Sequence, residues 1–357
     1  MTRARSSLST VWTSLVLAGF CCHSGCDHEP RGGVEVYSTS VDDSEDLTGL
    51  RGDLPVNPTV MIAAETMRRE LKANSGANFD RVGADYVGAY LAESGAKTLD
   101  PLKGQPLRIL DATKTEISDL TPLAGMPLET LILIGCPVTD LKPLAGLPIS
   151  SLDVSQSKVT NLSGVEALSQ LREFYLEGTG VSDLGALRAV PVEKLWLAET
   201  AVVDLRPLAG KTLTELNLCQ TRVADLSPLA TSHLRTLWLR DSAITDLAPL
   251  SRQKLVSLDF QDTAVADLSP LQEMTSLERL NLAGSKVTDL RPLEKLTLTR
   301  LIFSPERITA GIETIRGMSS LREIDTSFDG ARPVMGASEF WENYDAGKFK
   351  RETPADP

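Results

Sequence analysis

Carboxylates at a fixed interval are the first chemistry this chain offers. Asp119, Asp140, Asp183, Asp204, Asp225, Asp246, Asp267 and Asp289 each precede a leucine, and Asn161 takes the same place once. The steps along this column are 21 or 22 residues. A file of stacked carboxylates suits calcium when turns are glycine-rich and supply more than one ligand position each. This chain supplies one position per turn and no glycine pattern, so each carboxylate is expected to cap a turn rather than hold a metal. Carboxylate acid–base catalysis needs facing pairs, and single-file columns provide none.

Other reactive groups are sparse. The histidines are His23, His28 and His233, too few and too scattered for a Ser-His-Asp or Cys-His constellation. No glycine-rich phosphate loop, kinase signature or zinc spacing is present. Cys21, Cys22 and Cys26 crowd at the N-terminus, and Cys136 and Cys219 lie four repeats apart. At about 4.8 Å per strand those two are roughly 19 Å apart, too far for a disulfide. Neither an enzyme nor a cofactor is expected. The net charge is −12, and loss of residues 1–25 removes Arg3 and Arg5 and no acid, which makes it −14. No lysine or arginine cluster offsets this, so a nucleic-acid partner is not expected.

The aspartates belong to a longer phrase that must position them. One full unit reads Leu213-x-x-Leu216-x-Leu218-x-x-Thr221-x-Val223-x-Asp225-Leu226-x-Pro228-Leu229. A fixed period of this length marks a solenoid whose turns touch only their neighbours. The Leu-x-x-Leu-x-Leu run resembles the leucine-rich repeat family, and the Val-x-Asp-Leu-x-Pro-Leu tail is similar to its bacterial internalin-like subclass. The resemblance implies an α/β solenoid: a leucine-rich repeat horseshoe with a parallel concave β-sheet and short turns or 3-10 segments on the convex side. The chain departs from the family where an asparagine ladder is usual. Thr115, Cys136, Ser157, Thr179, Thr200, Thr221, Ser242, Thr263 and Ser285 stand there, with hydroxyls expected to bond to backbone inside the coil. Units about one residue shorter than the usual internalin unit imply a different curvature.

The array spans 99–303 as nine units. Before it, Arg3 and Arg5 followed by the apolar run Val11–Cys22 read as an export signal over 1–25, too short to anchor as a membrane span. Ser24-Gly25-Cys26 is similar to the end of a bacterial lipobox, although His23 stands where an aliphatic residue is usual. Cys26 is therefore the expected lipidation site, in a bacterial cell envelope, with a secreted or periplasmic protein as the alternative. Residues 26–56 are acidic and turn-rich, as a disordered tether is. The triplet Arg51-Gly52-Asp53 within it is short enough to arise by chance. Residues 57–98 are expected to form a helical N-terminal cap. One helix starts at Asn57-Pro58, and a second covers Val82–Glu93 with Tyr86, Val87, Tyr90 and Leu91 on one face. Residues 304–357 close the other end. A helix is expected over Pro305–Met318, a strand at Leu321-x-x-Ile324, and an aromatic segment at Glu339–Phe349 that either caps the coil or docks a partner.

Function should sit where the repeat leaves residues free. Strand alternation points the middle residue of each Leu-x-Leu outward. That column includes Tyr175, Trp196, Asn217 and Trp238, and both tryptophans of the array fall in it. Glu173, Glu177, Glu215 and Lys194 flank its centre, and Arg240, Arg279 and Arg300 its C-terminal end. Cys219 shares the outward phase. The expected function is non-enzymatic protein–protein interaction through the concave face, by a monomer that meets membrane only through its lipid anchor. A glycan ligand, a regulatory subunit of a separate kinase or phosphatase, and a structural spacer are the alternatives. If the tryptophans stand in solvent, Trp196→Ala with Trp238→Ala should leave the melting curve nearly unchanged.

Overall fold

The computed structural model describes residues 58–328 and 334–349. The expected export signal, Cys26 and the tether lie outside the described residues. One sheet of thirteen strands organises the rest, with strands adjacent in strict chain order. It begins with β1 (Asn78–Val82) and β2 (Asp85–Tyr90) and continues through β3 (Ile109–Asp111), β4 (Thr130–Ile132) and β5 (Ser151–Asp153). Next come β6 (Glu173–Tyr175), β7 (Lys194–Trp196), β8 (Glu215–Asn217), β9 (Thr236–Trp238) and β10 (Ser257–Asp259). The last are β11 (Arg279–Asn281), β12 (Arg300–Ile302) and β13 (Glu323–Asp325). β2 to β13 run parallel, and only β1 pairs antiparallel with β2.

Each turn of the coil follows from its residue types. Leu213, Leu216, Leu218, Val223, Leu226 and Leu229 are at most 1% exposed, so one unit sends its aliphatic positions inward and shares them with both neighbours. A single unit buries too little to offset the ordering of its backbone, which is why the array folds as a stack. After each strand the chain must turn sharply, and it does so through a left-handed residue. Lys114, Gln156, Glu199, Gln220, Asp241 and Asp262 have φ of 51–60°, and Gly135, Gly178 and Gly284 occupy the same position in other units. The ladder residue follows. Thr179, Thr200, Thr221 and Thr263 donate to the carbonyl three residues back at 2.6–2.7 Å, as expected of a buried hydroxyl column.

The aspartate column caps the turns. In all nine units Oδ1 accepts from the backbone N–H two residues on, at 2.7–3.0 Å, Asn161 included. In the eight aspartate units that N–H belongs to the first residue of the 3-10 turn, as in Ser227–Leu229, so a short polar side chain satisfies a donor that the turn itself cannot; in the Asn161 unit it belongs to Ser163, two residues before the turn Val165–Ala167. The same bonds favour the ionised form. Side-chain and backbone bonds from Ser227 lower the Asp225 pKa, and those from Arg206 lower Asp204 to about 2. A pKa lowered by folding stabilises the fold above the unfolded value, about 3.9. That contribution is lost as pH falls through the folded value of about 2. We therefore expect the thermal midpoint to fall between about pH 4 and pH 2, by a small amount for each carboxylate, because Asp204 and Asp225 are exposed to solvent. Asp204→Asn, which keeps a cap but no charge, should flatten that slope; an unchanged slope in a pH series of melting curves would contradict the assignment.

The N-terminal end differs from its expected two-helix form. One helix, α1 (Pro58–Glu70), is present; Met67 and Leu71 at its end are buried, and Arg68 Nε donates to the Ala77 carbonyl at 2.7 Å. The expected helix at Val82–Glu93 is instead the turn and second strand of the β1–β2 hairpin. Gly83, at φ 62°, makes the turn. Gly88–Tyr90 then pairs in register with Ile109–Asp111. The physical reason is the open edge of the first repeat: pairing with it satisfies a row of backbone donors that a helix would leave bare. Ala89 and Leu91 consequently point inward at 0% exposure, with period two rather than helical spacing. The outermost strand, β1, carries a bulge at Asp80/Arg81, a feature that discourages further edge pairing.

At the other end, the helix expected over Pro305–Met318 breaks into a 3-10 turn at Pro305–Arg307 and α2 (Ile312–Arg316). Gly311 separates them at φ 82°, and a Cβ there would lie 2.4 Å from the Arg291 nitrogen. The strand expected at Leu321-x-x-Ile324 forms as β13. The aromatic segment forms α3 (Ala337–Asp345), whose Phe340 is fully buried 5.5 Å from Phe303. It closes the coil. Arg316 lies over the Trp341 ring at 4.7 Å and pairs with Asp345 at 2.7 Å, fixing the cap from outside.

Candidate binding face

Strand pairing sets Tyr175, Trp196, Asn217 and Trp238 side by side on consecutive rungs of β6 to β9. The expectation that this column stands in solvent is corrected. Trp196 is 4% exposed, Asn217 0% and Trp238 6%, while Tyr175 is half-buried. Rungs lie only about 4.8 Å apart, so a large ring overlaps its neighbours. Trp196 and Trp238 therefore meet across the shorter Asn217, edge to face with centroids 5.4 Å apart. Tyr175 packs on Trp196 in the same manner at 5.5 Å. Edge-to-face contact at these distances matches the quadrupoles of the rings.

Asn217 is held from both sides. Its Oδ1 accepts from the Cys219 N–H at 3.0 Å, and its Nδ2 donates to Glu177, two rungs back, at 3.1 Å. Asp111, Asp153, Asp259 and Asn281 make the same turn bond to the N–H two residues on. The acids and amides of this column are thus structural. Their signal was present in the sequence as repeated Asp or Asn at strand ends, where such side chains bond their own backbone. Cys219, expected to face outward, is 1% exposed, so it offers no accessible thiol. Cys136 is buried too; burial pushes its thiol pKa up, and it donates to the Ala112 carbonyl at 2.9 Å.

The charged flanks divide into two groups. Around the aromatic row, Glu173, Glu177 and Glu215 are half-buried. The Lys194 ammonium lies 3.0 Å from Glu173 and 3.8 Å from Glu215. Burial alone would lower the Lys194 pKa, but the bond to Glu173 and the charges of Glu173, Glu215 and Glu193 outweigh it and hold the pKa above the usual lysine value. Tyr175 Oη donates to Glu173 at 3.3 Å. The structure thus joins Tyr175, Trp196, Asn217, Trp238, Glu173, Glu177 and Glu215 into one patch, with Lys194 as a member.

Arg240 and Arg279 belong elsewhere. Arg240, expected at an exposed basic end, is 4% exposed and donates to Gln261 at 2.6 Å. Gln261 in turn accepts from Asn281, which also donates to Asp259 at 3.0 Å. Arg240 is therefore part of a buried polar network. Arg279 remains half-buried on β11, and Arg300 pairs with Glu323. Among the described residues no group of three His, Cys, Asp or Glu side chains is placed to hold a metal ion. No helix among them is long and apolar enough to cross a membrane.

No family model and no curated protein matches this chain. Solved structures do. An internalin (InlF) from Listeria monocytogenes aligns with a TM-score of 0.57 at 21% identity, over 74% of this chain and 90% of its own. A plant peptide hormone receptor, RGFR1, in complex with RGF2, aligns at 0.52 and 16% identity, over 67% of this chain and 45% of its own. A leucine-rich repeat protein of Leptospira interrogans aligns at 0.49 and 18% identity, over 67% and 83%. Together with the ordered parallel strands and regular 3-10 turns, the first of these establishes the fold as a leucine-rich repeat solenoid.

Proposed function

We propose, starting from the leucine-rich repeat fold, that this chain is a non-enzymatic protein-binding module of a bacterial envelope, and that its ligand docks on the sheet face around Tyr175. The aromatic row Tyr175, Trp196 and Trp238 carries the reading. Leucine, valine, threonine and aspartate recur from unit to unit because the coil requires them there; these rings do not recur and are confined to three rungs. Tyrosine and tryptophan are enriched at binding hot spots, and a floor already locked by ring contacts loses little entropy when a partner seats on it. The burial of the tryptophans favours a protein over a glycan, because sugars stack on open ring faces. Trp196 and Trp238, at 4% and 6% exposure, present little of theirs. What a partner meets is the Tyr175 ring and the carboxylates of Glu173, Glu177 and Glu215. The RGFR1 structure, solved in complex with RGF2, supports the suitability of this fold for holding a ligand.

Tyr175→Ala tests the face with little disturbance of the coil, since the ring is only half-buried. A protein captured from envelope extracts by the parent chain should be lost by at least about tenfold, or 1.4 kcal/mol, on the variant. Capture at the parent level would refute the site. For location, we propose cleavage after residue 25 and lipidation of Cys26. Mass spectrometry of the mature N-terminus decides it: a diacylglyceryl cysteine is expected, and a free Met1 or bare Cys26 would overturn the lipoprotein assignment.

A further inference from the structure

We infer that the partner crosses the N-terminal side of this face as an uncharged, proline-rich segment in polyproline II conformation, its backbone carbonyls accepting from Thr113 and Ser155 and its apolar side chains resting on Ile134. The inference rests on the reading above, that the sheet face binds a protein, and specifies the segment that protein presents.

Thr113, Ile134 and Ser155 form one outward column on consecutive rungs. Each stands two residues past the registered trio Asp111, Ile132 and Asp153. The ladder continues to them: the Lys114 N–H donates to the Ile134 carbonyl at 2.7 Å, and the Gly135 N–H to the Ser155 carbonyl at 2.9 Å. Thr113 Oγ1 and Ser155 Oγ are buried and have no hydrogen-bond partner among the described residues. Ser155 as a whole is 4% exposed. Nearby hydroxyls behave differently, since Ser151 donates to Glu173 and Thr115 to the Ala112 carbonyl. A hydroxyl that loses water without gaining a partner destabilises the fold, so two of them around one half-buried isoleucine point to a ligand. Each turns about a single bond to meet an acceptor.

The surroundings define that ligand. The other outward side chains of β3 to β5 include Ile109, Thr130, Ile132 and Ser151. The ionisable ones, Asp111 and Asp153, are buried and accept from the N–H two residues on. At the margins Arg108 pairs with Glu129, and Lys114 with Glu93. The floor is thus aliphatic and hydroxylic, which suits an uncharged segment. Rungs about 4.8 Å apart set the two hydroxyls roughly 10 Å apart. A polyproline II chain has three residues per turn at about 3.1 Å each, so its carbonyls recur on one side about every 9 Å. A β-strand repeats its faces after two residues, about 7 Å, and misses that spacing. The polyproline II backbone makes no internal hydrogen bonds, which leaves its carbonyls able to accept. Running along this column, such a segment meets the Tyr175 ring on the next rung, and proline-rich segments dock in grooves lined by aromatic rings.

The test uses random peptides displayed on phage, selected against the full chain and remeasured on variants. Thr113→Val with Ser155→Ala removes the two hydroxyls with little change of shape. Ser118→Ala with Thr139→Val makes the same chemical change at exposed positions that precede the 3-10 turns. The expected result is a set of peptides with prolines three residues apart, whose affinity falls at least about tenfold on the first pair and less than about twofold on the second. The melting midpoint of the first pair should lie at or above the parent's, because neither hydroxyl is bonded in the free chain. Peptides that depend on Tyr175 but lack the proline spacing, or that ignore the first pair, would overturn this inference and leave the binding face standing. Peptides indifferent to Tyr175→Ala as well, or no enrichment at all, would overturn both. Equal loss on the two pairs, or a lowered midpoint for the first, would make the hydroxyls structural and overturn the proposed seat.

Discussion

Trp196→Ala combined with Trp238→Ala is expected to destabilise the coil by several kcal/mol, against the near-zero cost that outward-pointing residues would have. Truncating a buried tryptophan typically costs about 3–5 kcal/mol. These two are 4% and 6% exposed, so each should fall near the lower end of that range, about 3 kcal/mol. They also touch each other at 5.4 Å. A paired ring contact adds about 0.5–1.5 kcal/mol beyond buried area, so the single substitutions should not sum to the double. Removing both strips the cover from Asn217, whose bonds to Cys219 and Glu177 then compete with water. In a stack of nearest-neighbour interfaces the damage falls on β7 to β9, and unfolding should lose cooperativity there. Urea denaturation of the parent, both singles and the double tests this. A double variant with the parent's midpoint would show that the rings contribute no stability.

Phe340→Ala should have an effect of similar size at the other end. Phe340 is fully buried between Phe303 and the rings of Trp341, Tyr344 and Phe349. The usual cost is again about 3–5 kcal/mol. The consequence is directional, because Phe340 covers the last rungs of a solenoid that would otherwise end in an open core. Hydrogen exchange should accelerate first at Phe303 and Ile324, whose N–H groups bond to Asp325 and Met335. Leu197 and Leu218, bonded within the middle of the array, should keep their protection. Equal acceleration throughout the coil would contradict a capping role and point to global loss of stability instead.

These two substitutions also mark where sequence reasoning succeeded and where it stopped. The aromatic character of Glu339–Phe349 was legible as an apolar end to the coil, whereas the sequence alone leaves a cap and a docking segment as alternatives. The aspartate and threonine columns were legible for a related reason. Each is a local bond between a side chain and its own turn, repeated until its purpose is plain. The residues Val82–Glu93 were not, because Tyr86, Val87, Tyr90 and Leu91 fit a helical face and a strand equally well. Only the unpaired edge of the next rung decides between them. The burial of Trp196, Asn217 and Trp238 escaped for a geometric reason. Alternation along a strand gives the direction of a side chain, whereas crowding depends on what stands one and two rungs away. Nothing local to Trp196 announces that Trp238, 42 positions later in the numbering, will close over Asn217. The ion pairs of Lys194 with Glu173 and Glu215 cross rungs in the same way.

The central claim is that a protein partner sits on the sheet face at Tyr175, and site-specific photocrosslinking in intact cells tests it most directly. A photoreactive phenylalanine analogue placed at Tyr175 should yield a discrete adduct with one protein. The same analogue at Val203, 54% exposed in the segment that leads into a 3-10 turn, should yield none. An adduct at 203 and none at 175, or equal adducts at both, would contradict the account.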